Sequence, residues 1–593
     1  MELEPSDIAH HNTTKQSKHL IGQWRATSIA GNDLVASVLY SIGPLLMQAG
    51  KYAPISMFLV VLLIYPMKRI ITEVITSLPL NGGTYNAMLN TTSKWVAAVA
   101  ACLSILDYLA TCVVSASTAS AYLAAEVSLP SGLTPFIITI IILVGFALIC
   151  LLGIRESSSL ALSIFLLHIL TMSVLIISSI IAWAKQGNSV LVQNWQQPIP
   201  EGMNPWRMVF QGFCIGLLGV TGIESAENYI EDLKPNTFPK VMNNMYGLLL
   251  MLNTPMTLLV TALVPMSLVP DNAATIISVL GQHATGGSRW LRMWIMIDAV
   301  IVLCAGVLTG LVGATGLVQR LASITLYSIV GGNTTSLSGV FAVAFLCILS
   351  TYAVVNILMK YKRGRLLRIT NVRLSVALLT LGFLLTSLIG NIVIDSSIAE
   401  YFVIYFLVVL IVVLLMLKRG WLFRLLYWSF GQMDFVHRRW PKFSEKTLTS
   451  IQRRIQQFRK QPFVFFVKTD ESHVMNKAIQ YIKKNEEAGH VKFVHIYSRV
   501  EDIPEDMETN HRMLDEIYPK IQIDLVRQTE AKNKPPTHFE PSQMFIQGKF
   551  DPATVDAVSH QLDIPKSFMF MTCPGKDFPY RFGDFEGVRI IML

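Results

Sequence analysis

The chain has 593 residues, of which 52% are hydrophobic and only 15% charged, with a formal net charge of +9. Soluble domains carry about 25% charged residues, so the composition excludes a disordered chain, a nucleic-acid scaffold and an ordinary cytosolic enzyme. A single core rarely grows beyond about 250–300 residues, so more than one domain is expected.

Residues 1–30 form a polar tail without an apolar h-region, expected to lie in the cytoplasm. Apolar runs follow at 34–49, 53–73, 93–126, 134–153, 158–184, 207–229, 241–268, 289–318, 338–359, 373–394 and 398–417. Most approach the 20 or so helical residues that cross a hydrocarbon core of about 30 Å. Residues 31–420 thus read as an α-helical polytopic membrane domain. Lys and Arg set the orientation: Lys15, Lys18 and Arg25 place the N-terminus inside, and so should the cluster Lys360 to Arg365. Both hold only if 321–337 supplies one more crossing, which gives twelve span positions with the ninth truncated. Asn333-Thr334-Thr335 then becomes a sequon on the far side. Both termini are expected in the cytoplasm and the plasma membrane is the expected location. The cysteines show neither a disulfide framework nor metal-pair spacing, and no cofactor or nucleic-acid partner is expected.

Residues 421–460 are a basic juxtamembrane linker with interleaved aromatics, either an interfacial helix or a solvated segment. Residues 461–593 alternate strand and helix patterns: strands at 464–467, 491–497, 521–526, 567–572 and 588–592, helices at 472–484, 506–518 and 551–562. Such alternation predicts a cytoplasmic α/β domain with a mostly parallel sheet. It has no Gly-rich phosphate loop.

Ionisable side chains inside a membrane span mark function by default. Asp33 opens the first span, Asp107 lies in the third, Glu224 in the sixth and Asp298 in the eighth. Gly31, Gly43 and Pro44 punctuate the first span; Gly216, Gly219 and Gly222 punctuate the sixth. Interrupted spans in corresponding positions of two halves point to a transporter binding site, although such glycines also serve close helix packing. Asp107 and Thr111 share a helix face, and Tyr40 and Thr221 add oxygens suited to a hard cation. Glu224 suits a proton carrier, since burial disfavours the charged carboxylate; a structural bond across the break is the alternative. Asp298, close in sequence to Arg289 and Arg292, reads as a buried partner.

Leu80-Asn-Gly-Gly-Thr-Tyr-Asn86, Gly153-Ile-Arg-Glu-Ser-Ser158 and Val220-Thr-Gly-Ile-Glu-Ser-Ala-Glu-Asn-Tyr-Ile-Glu-Asp-Leu-Lys-Pro235 resemble segments of the amino acid–polyamine–organocation (APC) superfamily. The resemblance covers about residues 25–420 and implies a LeuT-like fold of two inverted five-span repeats plus two further spans. Asp33 with Tyr40, Asp107-Tyr-Leu-Ala-Thr111 and Thr221-Gly-Ile-Glu224 are similar to site motifs of the KUP and KimA potassium transporters. Transporters of the KimA type also carry a cytoplasmic α/β domain, and the resemblance extends to a stress-protein-like domain here.

The expected activity is therefore secondary active transport, not enzymatic catalysis. The first reading is proton-coupled potassium uptake, with Asp33, Tyr40, Asp107, Thr111 and Thr221 on the cation and Glu224 coupling or gating. The alternative is a proton-coupled amino acid or polyamine permease that holds its substrate at the breaks around Gly31, Gly43, Gly219 and Gly222. A non-transporting sensor is a third reading, and a homodimer is left open.

Overall fold

The computed structural model describes residues 20–79, 82–130, 132–151, 158–313, 334–362, 368–417, 419–432 and 445–453. Beyond these it describes 462–467, 472–485, 490–497, 522–525, 544–547, 549–572 and a few isolated positions up to 591. The chain divides into two compact units, one built from residues 19–91 and 96–410, the other chiefly from 411–593.

The first unit is helical. Its elements are α1 (Gln23–Ala49), α2 (Ala53–Ser77), α3 (Gly83–Thr91), α4 (Lys94–Glu126), α5 (Pro135–Leu151), α6 (Ser158–Gln186), α7 (Ser189–Gln196), α8 (Pro205–Gly216), α9 (Phe238–Leu263), α10 (Ile276–Ala284), α11 (Arg289–Gly313), α12 (Thr334–Lys362), α13 (Leu374–Ile394) and α14 (Ser396–Leu417). Among the described residues nine segments are long and apolar enough to cross a membrane; the first, Gln23–Ser77, contains both α1 and α2. The chain is a multi-pass integral membrane protein. Spanning segments must satisfy their backbone inside the protein, and the unbroken helices do so chiefly along themselves.

Every residue from Ala26 to Gly43 is buried. A helix enclosed on all sides belongs in the core of a bundle, and α1 packs against α6, α8, α9 and α11. By contrast α13 presents Leu378, Leu379, Phe383, Ile389 and Val393 outward, the apolar face a helix shows to lipid.

Two expectations change here. The first span was expected to begin at 34 and to be interrupted at Gly31 and Gly43. Instead α1 runs unbroken from Gln23, with Asp33 well inside it. The glycines serve packing. A Cβ on Gly43 would stand 1.8 Å from the backbone oxygen of Ala273, and one on Gly31 would stand 3.0 Å from the Phe165 ring. The additional crossing placed at 321–337, and the truncated ninth position with it, fall mainly on 314–333, outside the described residues. α12 begins at Thr334, within the sequon.

The second unit contains a six-stranded sheet. Its elements are α15 (Arg419–Gly431), β1 (Pro462–Val467), α16 (Ser472–Asn485), β2 (His490–Tyr497), β3 (Gln522–Leu525), β4 (Met544–Gln547), α17 (Pro552–Leu562), β5 (Met569–Thr572) and β6 (Arg589–Ile591). The order is β3-β2-β1-β5-β6, all pairs parallel, with β4 pairing the far end of β2 beside β3. Side chains alternate across a strand, and β1 shows it. Phe463, Phe465 and Val467 pack with Met475, Ile479 and Ile482 of α16, while Val464 and Phe466 pack with Val555 and Val558 of α17. The strand β4 had no counterpart in the sequence reading, and the helix expected at 506–518 lies almost wholly outside the described residues. Of the basic linker, 433–444 and 454–460 also lie outside the described residues, and the rest is chiefly helical, in α15 and over 445–453.

Candidate functional site

The sixth apolar run breaks where its glycines permit. α8 ends at Gly216, a single 3-10 turn covers Leu217–Val220, and Thr221 is extended. Gly222 then takes φ +96°, before a second 3-10 stretch over Glu224–Asp232. Only glycine enters that region at little cost. Gly222 is also pressed against the middle of α1: a Cβ there would lie 2.7 Å from the Leu34 nitrogen and 3.0 Å from the Asp33 carbonyl carbon. The break therefore meets the unbroken helix at Asp33.

Backbone groups released by the break find partners inside the protein. The Leu218 carbonyl accepts from Thr221 Oγ1 at 3.0 Å. The Gly219 carbonyl accepts from Ser37 Oγ at 2.7 Å and from the Asn253 amide. The Gly222 N–H is shared between both carboxylate oxygens of Glu224, at 3.1 Å each. Glu224 thus makes the structural bond across the break that was weighed against a proton role, and the geometry accommodates both. Past the break, Ile21 N–H donates to the Asp232 carbonyl and Lys234 N–H to the Ile21 carbonyl, which ties the end of this segment to the start of α1.

Around this break stand the other expected residues. Asp33, Tyr40, Asp107, Thr111, Thr221 and Glu224 are all buried. Tyr40 Oη and Thr221 Oγ1 are 2.8 Å apart; because Thr221 donates to Leu218, Tyr40 is the donor between them. Ser225 Oγ donates to Asp33 Oδ2 at 3.1 Å. Asp33, Asp107 and Glu224 lie within electrostatic reach of one another, with the Asp107 carboxyl against that of Glu224. Beyond that contact between carboxyls, Asp33 Oδ1 and both oxygens of Asp107 meet no hydrogen-bond donor among the described residues. Nor does any of the three carboxylates join an ion pair there. Buried polar atoms are normally bonded, so these carboxyl oxygens, with Glu227 Oε2 nearby as a fourth that lacks a partner, are what a cation-binding interior would show.

Ser115 belongs with them and was missed. It lies four residues beyond Thr111 and eight beyond Asp107, on the same face of α4. Its hydroxyl is buried and unpartnered. A Cβ on Gly306 of α11 would lie 3.2 Å from Ser115 Oγ and 3.9 Å from Asp33 Oδ1, so both oxygens converge beside Gly306. Serine is common in packed membrane helices, and only its i+4 spacing from Thr111 distinguished it in the sequence.

Other polar residues have different duties. Glu227 takes the backbone N–H of Thr84 at the start of α3, and Tyr108 exchanges hydrogen bonds with the Asn228 amide. Asp298 is not the partner of Arg289 or Arg292. Arg292 holds Glu126 and Gln282, whereas Asp298 pairs with His168 of α6 at 2.7 Å. A recess of about 600 Å³ lined by Lys360, Arg368, Asn371 and Arg373 is basic. Its Lys360 and Arg368 are already bound to the buried Glu73 at 3.1 and 2.6 Å, which lowers its value as an anion site. Among the described residues no three His, Cys, Asp or Glu side chains converge as a metal site.

A helix break buried in a bundle of membrane-length helices, with unsatisfied carboxyl oxygens around it, defines an integral membrane transporter. The chain belongs to the amino acid permease family, whose sequence pattern matches residues 21–324, just over half its length. No curated protein matches it. Among solved structures it is similar to a manganese transporter of Eremococcus coleocola. The complex of that protein with an aromatic bis-isothiourea substituted compound aligns at 13% identity over 66% of this chain and 93% of that one, with a TM-score of 0.42. A mutant of the same protein aligns at 13% identity over the same shares, with a TM-score of 0.41.

Proposed function

We propose that this permease moves potassium together with protons. In this reading Asp33, Tyr40, Asp107, Thr111 and Thr221 hold the dehydrated cation, Ser115 adds an oxygen, and Glu224 carries or gates the proton. The observation that carries the reading is the set of three carboxyl oxygens on Asp33 and Asp107 that meet no hydrogen-bond donor beyond the Glu224 carboxyl. Hard cations take oxygen ligands, and hydroxyls beside a few carboxylates suit a monovalent ion that has shed its water.

The same geometry disfavours an α-carboxylate. An unbroken α1 frees no N–H group there, and the Gly222 N–H is engaged by Glu224. A substrate carboxylate would face three acidic side chains. An amino acid substrate remains the second reading because the family description is that of amino acid permeases; a cationic amino acid or polyamine would be the form that suits these acids.

Purified protein in proteoliposomes, under an inward proton gradient, tests both. Rubidium uptake that disappears in Asp107→Asn is the expected result. Uptake of labelled lysine, other amino acids or polyamine with no rubidium flux would overturn the potassium reading.

A further inference from the structure

The helix break is not the only place where titratable groups are enclosed. His168 on α6 and Asp298 on α11 are both buried, with Nδ1 and Oδ2 2.7 Å apart. One proton lies between them. The other imidazole nitrogen, Nε2, is buried and without a partner among the described residues. An enclosed imidazole whose second nitrogen meets no donor or acceptor loses hydration without compensation. A structural histidine is normally satisfied on both sides. This one presents a lone pair to an interior with nothing to bind, next to a carboxylate that would neutralise the imidazolium once a proton arrived.

The pair also bridges two helices that meet α1. Both α6 and α11 pack against α1 and against each other. Four residues before Asp298, the Trp294 indole N–H donates to Thr171, three residues after His168, at 2.9 Å. Two polar ties thus join the same helices one turn apart. Of the neighbouring elements, α1 carries Arg25 and Asp33, α4 carries Lys94, Asp107 and Glu126, α9 carries Lys240, α10 carries His283, α6 itself adds Lys185 and α11 itself adds Arg289 and Arg292. None of these makes an ion pair with His168 or Asp298 among the described residues. Arg292 is held by Glu126 and His283 Nδ1 by the Val279 carbonyl.

We propose that His168 and Asp298 form a second proton-binding site, separate from Glu224, that links protonation to the seating of α6 against α11. The proton binds at Nε2 and leaves from it; no bond other than N–H forms or breaks. With the proton bound, imidazolium and carboxylate hold the two helices together as an ion pair. Without it, the neutral imidazole still donates to the carboxylate, but the pair is left with an uncompensated buried negative charge, so the tie between the helices is weaker than the ion pair. The proposal rests on the proton-coupled reading above but not on the identity of the solute.

The test uses the full chain and the variants His168→Gln and Asp298→Asn. In proteoliposomes, tracer exchange at equal pH on both sides is compared with accumulation driven by a proton gradient. Each variant is expected to retain exchange within about threefold and to lose gradient-driven accumulation by at least tenfold. Accumulation at wild-type level overturns the proposal. Equal loss of exchange and accumulation also overturns it, because a purely structural tie would fail in that way. A second readout needs no solute. The emission of Trp294, isolated as the difference between wild type and Trp294→Phe, is expected to change as the pH is stepped from 8 to 5. In His168→Gln it should stay constant. If the wild type moves neither rubidium nor amino acids, the reading of the helix-break site fails, and the Trp294 response alone decides this one; a response that persists in His168→Gln overturns it.

Discussion

The carboxylate of Glu227 occupies the space that a side chain on Gly83 would need. A Cβ at Gly83 would fall 1.8 Å from Glu227 Cδ and about as close to both of its oxygens, and Gly83 has φ +30°. The contact joins the end of the broken span to the first turn of α3, where Thr84 N–H meets Glu227. Free N–H groups at a helix start attract an acceptor and a negative charge. The Gly-Gly of the 80–86 motif is therefore a seat for an acid from another span.

Gly83→Ala should displace that acid. Loss of the capping interaction costs about 1 kcal/mol, and a non-glycine residue at positive φ adds about 1–2 kcal/mol. Glu227→Gln should cost less on its own. In the double variant the two effects should fall short of additivity by about 1 kcal/mol, since they share one interaction. Unfolding midpoints of the four proteins in one detergent give the cycle. Strict additivity would mean that Glu227 and Gly83 are energetically independent.

Asp107→Asn should separate stability from transport. Neither oxygen of Asp107 meets a hydrogen-bond donor, and its carboxyl lies against Glu224. Removing the acid relieves the crowding of two buried carboxyls, and the Asn amide can donate to Glu224 in place of the shared carboxyl contact, so the melting temperature should hold or rise. If the carboxylate ligates the cation, the apparent affinity should fall at least tenfold, about 1.4 kcal/mol. Such opposition of stability and activity is common at binding sites. Thermal melting with rubidium uptake kinetics measures both; a lower melting temperature with unchanged KM would assign Asp107 a structural role.

Gly222→Ala should be severe for a different reason. Its Cβ would meet the backbone of α1 at Asp33 and Leu34, not the end of a flexible side chain, and the residue is at φ +96°. Main chain cannot step aside as a side chain can. Backbone strain of this kind costs about 1–3 kcal/mol, with displacement of the break from α1 in addition. Surface abundance, melting temperature and uptake should all fall. Gly247→Ala on α9, where a Cβ meets nothing within 4 Å, should leave all three unchanged and serves as the control.

What was readable in the sequence follows from the range of the forces involved. The membrane helices were legible because each must be long and apolar by itself, whatever it packs against. The break in the sixth run was legible because Thr221-Gly-Ile-Glu224 puts a permissive residue beside an acid within one turn. Gly31 and Gly43 misled for the converse reason. Their use depends on Phe165 and Ala273, far along the chain, and a glycine required for packing looks the same as one that breaks a helix. The His168–Asp298 pair is separated by 130 residues and could be found only once α6 lay against α11. β4 was missed because four residues carry little periodicity, and its partner β2 is nearly fifty residues earlier.

Ser115 offers the sharpest distinction between a packing residue and a ligand. Its hydroxyl is buried, makes no hydrogen bond, and faces Gly306 beside Asp33 Oδ1. If Ser115 only fills space, Ser115→Ala removes an unsatisfied polar atom and should be neutral or stabilising by up to about 1 kcal/mol. If its oxygen completes the cation shell, the same stabilisation should come with a rise in KM of roughly three- to tenfold, the equivalent of one lost hydrogen-bond-strength contact. Ser115→Thr keeps the oxygen but adds a methyl group against α11, where a Cβ on Gly306 would already sit 3.2 Å from the hydroxyl. It should restore affinity only if the helices can part by that much. Rubidium KM for the three proteins, set beside their melting temperatures, separates the two roles: an unchanged KM in Ser115→Ala would remove this oxygen from the site and leave Asp33 and Asp107 to hold the ion with Tyr40, Thr111 and Thr221.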